Sequence, residues 1–183
     1  MEIRSAYKRD VKSILHIYND AIIHTTATFD LQEKTLTEMN MWFDAHNEMY
    51  PVIVAEEDGI VLGYCSLSPF REKEAYKQTV EISVYVDKQA RGKGVAKKLI
   101  GHILQLAEEA AHHTIIAGIT RGNDISVKLH EQMGFTYVGC FQEVGYKFDE
   151  WQDVLFYPAL TGSNTPASKF SGSKEVRREI NCP

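Results

Sequence analysis

A chain of 183 residues with 44% hydrophobic content can bury one continuous core and falls within the usual size of a single domain. A formal net charge of −5 and a pI near 5.8 exclude a general polyanion binder, so nucleic acid is not an expected partner, although a local basic loop can still hold one phosphorylated ligand. No apolar stretch approaches the roughly 20 residues needed to span a bilayer, and the N-terminal stretch lacks the charged start, apolar run and small-residue cleavage site of a signal peptide, so a cytoplasmic location without membrane contact is expected.

The pattern from Ile3 to Ala6 predicts a short first strand, and Val11, Ile14, Leu15, Tyr18, Ala21 and Ile22 then recur at helical spacing between about Asp10 and Ile23. After the polar loop His24 to Asp30, a second helix is predicted over Leu36 to His46, starting near Thr35 and placing Met39, Trp42 and Phe43 on one face. The period then changes. Val52 to Ala55 and Ile60 to Tyr64 read as strands joined by a tight Asp58-Gly59 hairpin, and Thr79 to Val86 as another strand after a charged loop. A helix follows from Gly94 to Ala111, then a strand over Thr114 to Ile119, a helix from about Asn123 to Met133, and β-like runs around Phe135 to Phe141 and Val154 to Tyr157. The order is that of an α/β (α+β) domain over residues 1–160, with a mixed sheet of about seven strands and about four helices. From Thr161 the composition turns to Gly, Ser, Asn and Pro and then to a charged stretch with Arg177 and Arg178, which predicts a flexible tail over 161–183. Cys65, Cys140 and Cys182 are odd in number and lack the paired spacing of a zinc site or disulfide framework, so free thiols and no metal centre are expected.

One segment carries chemistry. A strand ending in Val84-Tyr85-Val86-Asp87, then Arg91-Gly92-Lys93-Gly94, then a long helix is the arrangement of a phosphate-binding loop, because unpaired N–H groups and the positive dipole end converge at a helix N-terminus. A nucleotide P-loop is excluded, since the glycines are two apart and Val95 stands where a hydroxyl is required. A dinucleotide fingerprint is weakened by Lys97 at the third glycine position. A plain helix-capping turn with solvated lysines is the remaining rival.

Gln89-Ala90-Arg91-Gly92-Lys93-Gly94-Val95-Ala96 resembles the acetyl-CoA pyrophosphate signature of the GNAT superfamily of N-acetyltransferases, and Asn123-Asp124-Ile125-Ser126 through Gly134-Phe135 is similar to its second helix region. Within it the chain resembles the branch that acetylates phosphinothricin and methionine sulfoximine or sulfone, through Ile17 to Ala21, Thr25-Thr26-Ala27, Thr79 to Val86, Leu129-His130-Glu131 and Val144 to Phe148. The resemblance implies a GNAT-like, mostly antiparallel sheet, acetyl-CoA as co-substrate, a small zwitterionic amine as acceptor, a homodimer and a role in detoxification.

Acetyl transfer needs a neutral amine, a polarised thioester and a proton for the thiolate. The resemblance assigns the amine's proton to Glu81 and places His130 where many members carry a tyrosine that protonates the thiolate; a histidine could move a proton either way. It assigns the thioester and pantetheine to the main chain around Val84, Tyr85 and Val86, the pyrophosphate to Arg91, Gly92, Lys93, Gly94, Val95, Ala96 and Lys97, and further cofactor contacts to Asn123 and Ser126. For the acceptor the candidates are Arg71 and then Lys73 as carboxylate partners, with Phe29, Glu72, Tyr76, Glu81, Ile82 and Ser83 around them. Phe29, Tyr76, Phe148 and Trp151 could wall an apolar pocket, but large aromatic side chains of this kind are more often core, Phe29 in its polar loop excepted. Two other readings stay open: an acetyltransferase for a polyamine, an aminoglycoside or a protein N-terminus, and a sensor that binds acyl-CoA without turning it over.

Overall fold

The computed structural model describes residues 1–162. Its strands are β1 (Glu2–Ser5), β2 (Val52–Glu57), β3 (Ile60–Pro69), β4 (Thr79–Val86), β5 (Thr114–Thr120), β6 (Gly139–Lys147) and β7 (Glu150–Leu160). Its α-helices are α1 (Val11–His24), α2 (Leu36–Asp44), α3 (Val95–Glu109) and α4 (Asp124–Gln132). The strands form one sheet in the order β1-β2-β3-β4-β5-β7-β6, antiparallel throughout except for the parallel neighbours β4 and β5.

Helices cover both faces, and this explains the unbroken apolar run of β2. Ile53 and Ala55 join the core beneath α3, with Leu99, Ile100 and Ile103, while Val52 and Val54 join Val11, Ile14, Ile17 and Met39 of α1 and α2. A strand buried on both sides has no polar face to alternate with. The same division runs along β4, where Val80 and Ile82 face α3 and Glu81, Ser83 and Tyr85 face the α1–α2 side.

Local chemistry sets the element ends. Thr35 Oγ1 accepts the Glu38 N–H at 3.2 Å while the Glu38 carboxylate accepts the Thr35 N–H at 2.8 Å, a reciprocal cap that starts α2. Asp58 (φ 51°) and Gly59 (φ 80°) make the left-handed turn between β2 and β3. Near the N-terminus, Arg4 donates two hydrogen bonds to the Asp10 carboxylate, at 2.7 and 2.9 Å, and also reaches Glu56, tying β1 and β2 to the start of α1.

The C-terminal hairpin corrects the sequence expectation. Phe135 is a buried core residue outside any strand, and the two strands run over Gly139–Lys147 and Glu150–Leu160, longer and later than the apolar runs suggest. Their turn is Phe148 (φ 56°) and Asp149 (φ 61°), with no glycine to mark it, and the register shifts between Phe141 and Gly145 around Glu143 (φ 51°). Tail residues from 163 onward, Arg177, Arg178 and Cys182 among them, lie outside the described residues.

Candidate active site

The sheet is open at its centre. β4 pairs with β3 from Val80 to Val86, yet it pairs with β5 only over Thr79–Glu81, against Thr114–Ile116, while β5 continues along β7 to Thr120. A gap therefore opens between β4 and β5 beyond Glu81. The Asp87 N–H donates to the Leu62 carbonyl on the β3 side at 2.9 Å, so by strand alternation the N–H groups of Val86 and Val84 point into the gap. Main-chain donors there need a partner from outside the sheet.

At the end of β4 the Asp87 carboxylate accepts the Gln89 N–H at 2.8 Å, and Arg91 Nε donates to the Val86 carbonyl at 3.5 Å. Gly92 (φ 75°) and Gly94 (φ 77°) are left-handed, and no heavy atom lies within 4 Å of where a Cβ would stand on either. Backbone conformation, not crowding, is what demands glycine here. Gly94 caps α3, whose first-turn N–H groups face outward, while Val95 is buried and anchors the helix to the core. Lys93 and Lys97 are exposed and Ala96 is half-buried.

Glu81 stands at the mouth of the gap. Its Oε1 lies 3.6 Å from the position a Cβ would take on Gly118 of β5, so the missing side chain at 118 leaves room beside the carboxylate. Burial pushes the Glu81 carboxyl above the ordinary 4.5, and among the described residues none donates a hydrogen bond to it. On α4, Asn123 Oδ1 accepts the Ser126 N–H at 3.2 Å, and His130 Nδ1 lies 2.8 Å from the Ser126 carbonyl. A carbonyl only accepts, so Nδ1 carries the hydrogen and Nε2 keeps the lone pair. His130 is buried edge-on against Phe135, and desolvation lowers its pKa below the ordinary 6.5; the ring is neutral at pH 7.

Over the α1–α2 face the loop after α1 is strapped down by three separate strands. The carbonyls of Thr26, Ala27 and Thr28 accept from Thr120 Oγ1 (2.6 Å), the Tyr85 hydroxyl (3.3 Å) and Lys147 Nζ (2.8 Å). Lys147 is 97% buried by its 3% exposure, and desolvation lowers its pKa; the sequence reading assigned it no role. A lysine inside an aromatic-rich alternating run was its one visible sign. Phe29 packs against Gly145 of β6. Arg71, Glu72 and Lys73 are exposed on the loop before β4, with the Arg71 guanidinium 5.1 Å from the Phe70 ring centre and 5.9 Å from that of Tyr76. Ile82 is buried toward α3, so only its main chain is available to a ligand, whereas Ser83 faces the other way. Tyr76, Phe148 and Trp151 are exposed, against the expectation of core positions: a tight hairpin and a loop hold them out of the sheet's covered faces. Between α1, α2 and the β3–β4 pair lies a cavity of about 370 Å³.

A split parallel pair, a left-handed glycine loop capping the next helix and a carboxylate at the split define an acyl-CoA-type transferase architecture. The GNAT acetyltransferase domain family matches residues 3–156, and the chain belongs to it; it is an N-acetyltransferase. It is 38% identical over 157 residues to the L-methionine sulfoximine/L-methionine sulfone acetyltransferase of Salmonella typhimurium, covering 85% of this chain and 92% of that one. It is 34% identical over 161 residues to the phosphinothricin N-acetyltransferase of Streptomyces coelicolor, covering 86% and 94%. Among solved structures, a GNAT superfamily phosphinothricin acetyltransferase from Sinorhizobium meliloti in complex with acetyl-CoA superposes with a TM-score of 0.85 at 31% identity, covering 93% of this chain and 94% of that one. An acetyltransferase of Salmonella typhimurium with its cofactor acetyl-CoA gives a TM-score of 0.86 at 35% identity, covering 92% and 98%. Among the described residues, no helix is long and apolar enough to cross a membrane.

Proposed function

We propose that the chain transfers an acetyl group from acetyl-CoA to the α-amino group of a small zwitterionic amino-acid analogue such as methionine sulfone, methionine sulfoximine or phosphinothricin, with residues 1–160 as the working domain. The observation that carries this reading is the end of β4–β5 pairing at Glu81, followed past the end of β4 by the left-handed Gly92–Gly94 loop. Acetyl-CoA, when bound, supplies the activated acyl thioester. The Val84 and Val86 N–H groups hold its pantetheine and thioester, and the Gly92 to Lys97 segment at the start of α3 holds its pyrophosphate by outward N–H groups and lysine charge. Asn123 and Ser126 add further contacts at the start of α4, where Asn123 Oδ1 already accepts the Ser126 N–H and Ser126 Oγ lies 3.3 Å from His130 Nδ1.

Glu81, partly buried and without a competing donor, takes the ammonium proton. The neutral nitrogen then forms the new C–N bond as the C–S bond breaks, and it gives up one N–H proton while the departing thiolate takes up a proton. Because His130 is neutral, it accepts a proton at Nε2 before it can pass one on; it is a relay, not a standing acid. Arg71 meets the acceptor carboxylate from its exposed loop. Thiol release measured with methionine sulfone, methionine sulfoximine, phosphinothricin, spermidine and an aminoglycoside tests the reading. Turnover confined to the first three supports it; turnover of spermidine or the aminoglycoside alone overturns the acceptor, and acetyl-CoA binding without any turnover favours the sensor.

A homodimer belongs to the same proposal. Phe141, Val144, Tyr146 and Trp151 are all more than half exposed on β6, the edge of the sheet, and its hairpin to β7, and an apolar strand edge of this kind suits a second copy. Light scattering that returns one chain mass would overturn it. Unpaired Cys65 and Cys140 thiols suit a reducing compartment, the cytoplasm.

A further inference from the structure

The cavity of about 370 Å³ on the α1–α2 side has a floor made by the sheet. Ser66 and Ser68 of β3 and Ser83 of β4 line it, and their hydroxyls make no hydrogen bond to any described residue. Ser66 is 4% exposed, and it lines the cavity together with the other two serines. The register puts them in one row with Glu81: Ser66 is opposite Ser83, and Ser68 is opposite Glu81 itself. Directly opposed side chains on one face stand about 5 Å apart, so the cavity adjoins the carboxylate that faces the reacting amine.

The charged groups around the cavity are already engaged. Asp30 pairs with Lys34 at 3.1 Å and accepts the Tyr18 hydroxyl at 2.7 Å, and Glu38 is bonded into the cap of α2. Two carboxylates against one ammonium repel an incoming anion. What remains for a ligand is a set of neutral hydroxyls that share the cavity lining with the rings of Trp42, Tyr64 and Tyr85. A short apolar stem ending in an uncharged, oxygen-bearing group fits both features.

We propose that this cavity receives the acceptor's side chain, and that Ser66, Ser68 and Ser83 select a neutral oxygen-bearing end group such as a sulfone or sulfoximine over an anionic phosphinate. The inference rests on the acetyltransferase reading above. Steady-state kinetics of the full chain with methionine sulfone and phosphinothricin test it, on wild type, Ser83→Ala and the Ser66→Ala/Ser83→Ala pair. Expected are a wild-type kcat/KM at least tenfold higher for the sulfone, and a sulfone KM raised at least fivefold by the pair with the acetyl-CoA KM unchanged. Should the pair fail to fold, Ser83→Ala alone, at a half-buried position, is expected to raise the sulfone KM at least twofold. A preference for phosphinothricin, or an unchanged sulfone KM in the folded variants, overturns the proposal while leaving the acetyltransferase reading intact. Wild type that acetylates neither compound overturns both.

Discussion

The ring of Phe29 rests on the backbone of Gly145: a Cβ at position 145 would stand 2.3 Å from the ring's Cε2. The loop after α1 is thereby seated on β6, and the seat exists because position 145 has no side chain. Gly145→Ala is expected to push Phe29 aside and loosen this loop. The acceptor KM should rise about threefold to tenfold with the acetyl-CoA KM unchanged, and stability should fall by roughly 1–3 kcal/mol, as overpacking of a tight contact does. Kinetics and urea unfolding together check both parts.

Glu81→Gln keeps the shape of the side chain and removes its basicity. A fall in kcat of about 10²–10⁴ is expected, with little change in the KM for acetyl-CoA. On the proposed mechanism, activity needs both Glu81 and His130 deprotonated. Glu81 titrates above 4.5 and His130 below 6.5, so kcat/KM should rise with pH through this acidic range, and the Glu81→Gln variant should lose its part of that limb.

Lys147→Met tests whether the buried ammonium positions the strap. Loss of its hydrogen bond to the Thr28 carbonyl should raise the acceptor KM severalfold. Desolvation holds the Lys147 pKa below 10.5, so its contribution to folding is fully present above 10.5 and lost as pH falls through the folded value. Wild type should therefore gain stability relative to Lys147→Met as pH rises through the alkaline range. Parallel curves for the two proteins would refute this.

Gly94→Ala places a Cβ on a left-handed residue at the cap of α3. The space is open, so the cost is backbone strain of roughly 1–2 kcal/mol. Relaxation of the turn should raise the acetyl-CoA KM by about tenfold while the acceptor KM stays within twofold, a split that kinetics resolves directly.

Asp10→Ala removes the partner of Arg4 from a nearly solvent-free position. A loss of about 3 kcal/mol in urea unfolding is expected for breaking such a pair. Arg4 and the Tyr7 N–H oppose the burial that would raise the Asp10 pKa, and its net value lies below 3.8. Its contribution is accordingly present above 3.8 and lost as pH falls through the lower, folded value, and Asp10→Ala should flatten the acid side of the stability curve.

Features governed by neighbours in the chain were legible before any fold was known. Thr35 announces the start of α2, Asp58-Gly59 the β2–β3 turn, and Gly92 and Gly94 the loop before α3, because caps and left-handed turns are decided within a few residues. Glu81 and His130 were legible as candidates from the motifs around them. The C-terminal hairpin was not, since its turn has no glycine and Phe148 adopts a left-handed angle that its residue type does not advertise.

Tertiary structure alone decided the rest. That β4 leaves β5 after Glu81 while β5 stays paired with β7 to Thr120 is a relation between segments far apart in sequence. Lys147 meets a partner only because the Thr28 carbonyl is folded over it, and Ser66, Ser68 and Ser83 are ordinary strand serines until α1 and α2 roof them. Local sequence determines which way a backbone turns. Which polar groups lose their water, and so must find a partner or wait for a ligand, is set by what packs over them.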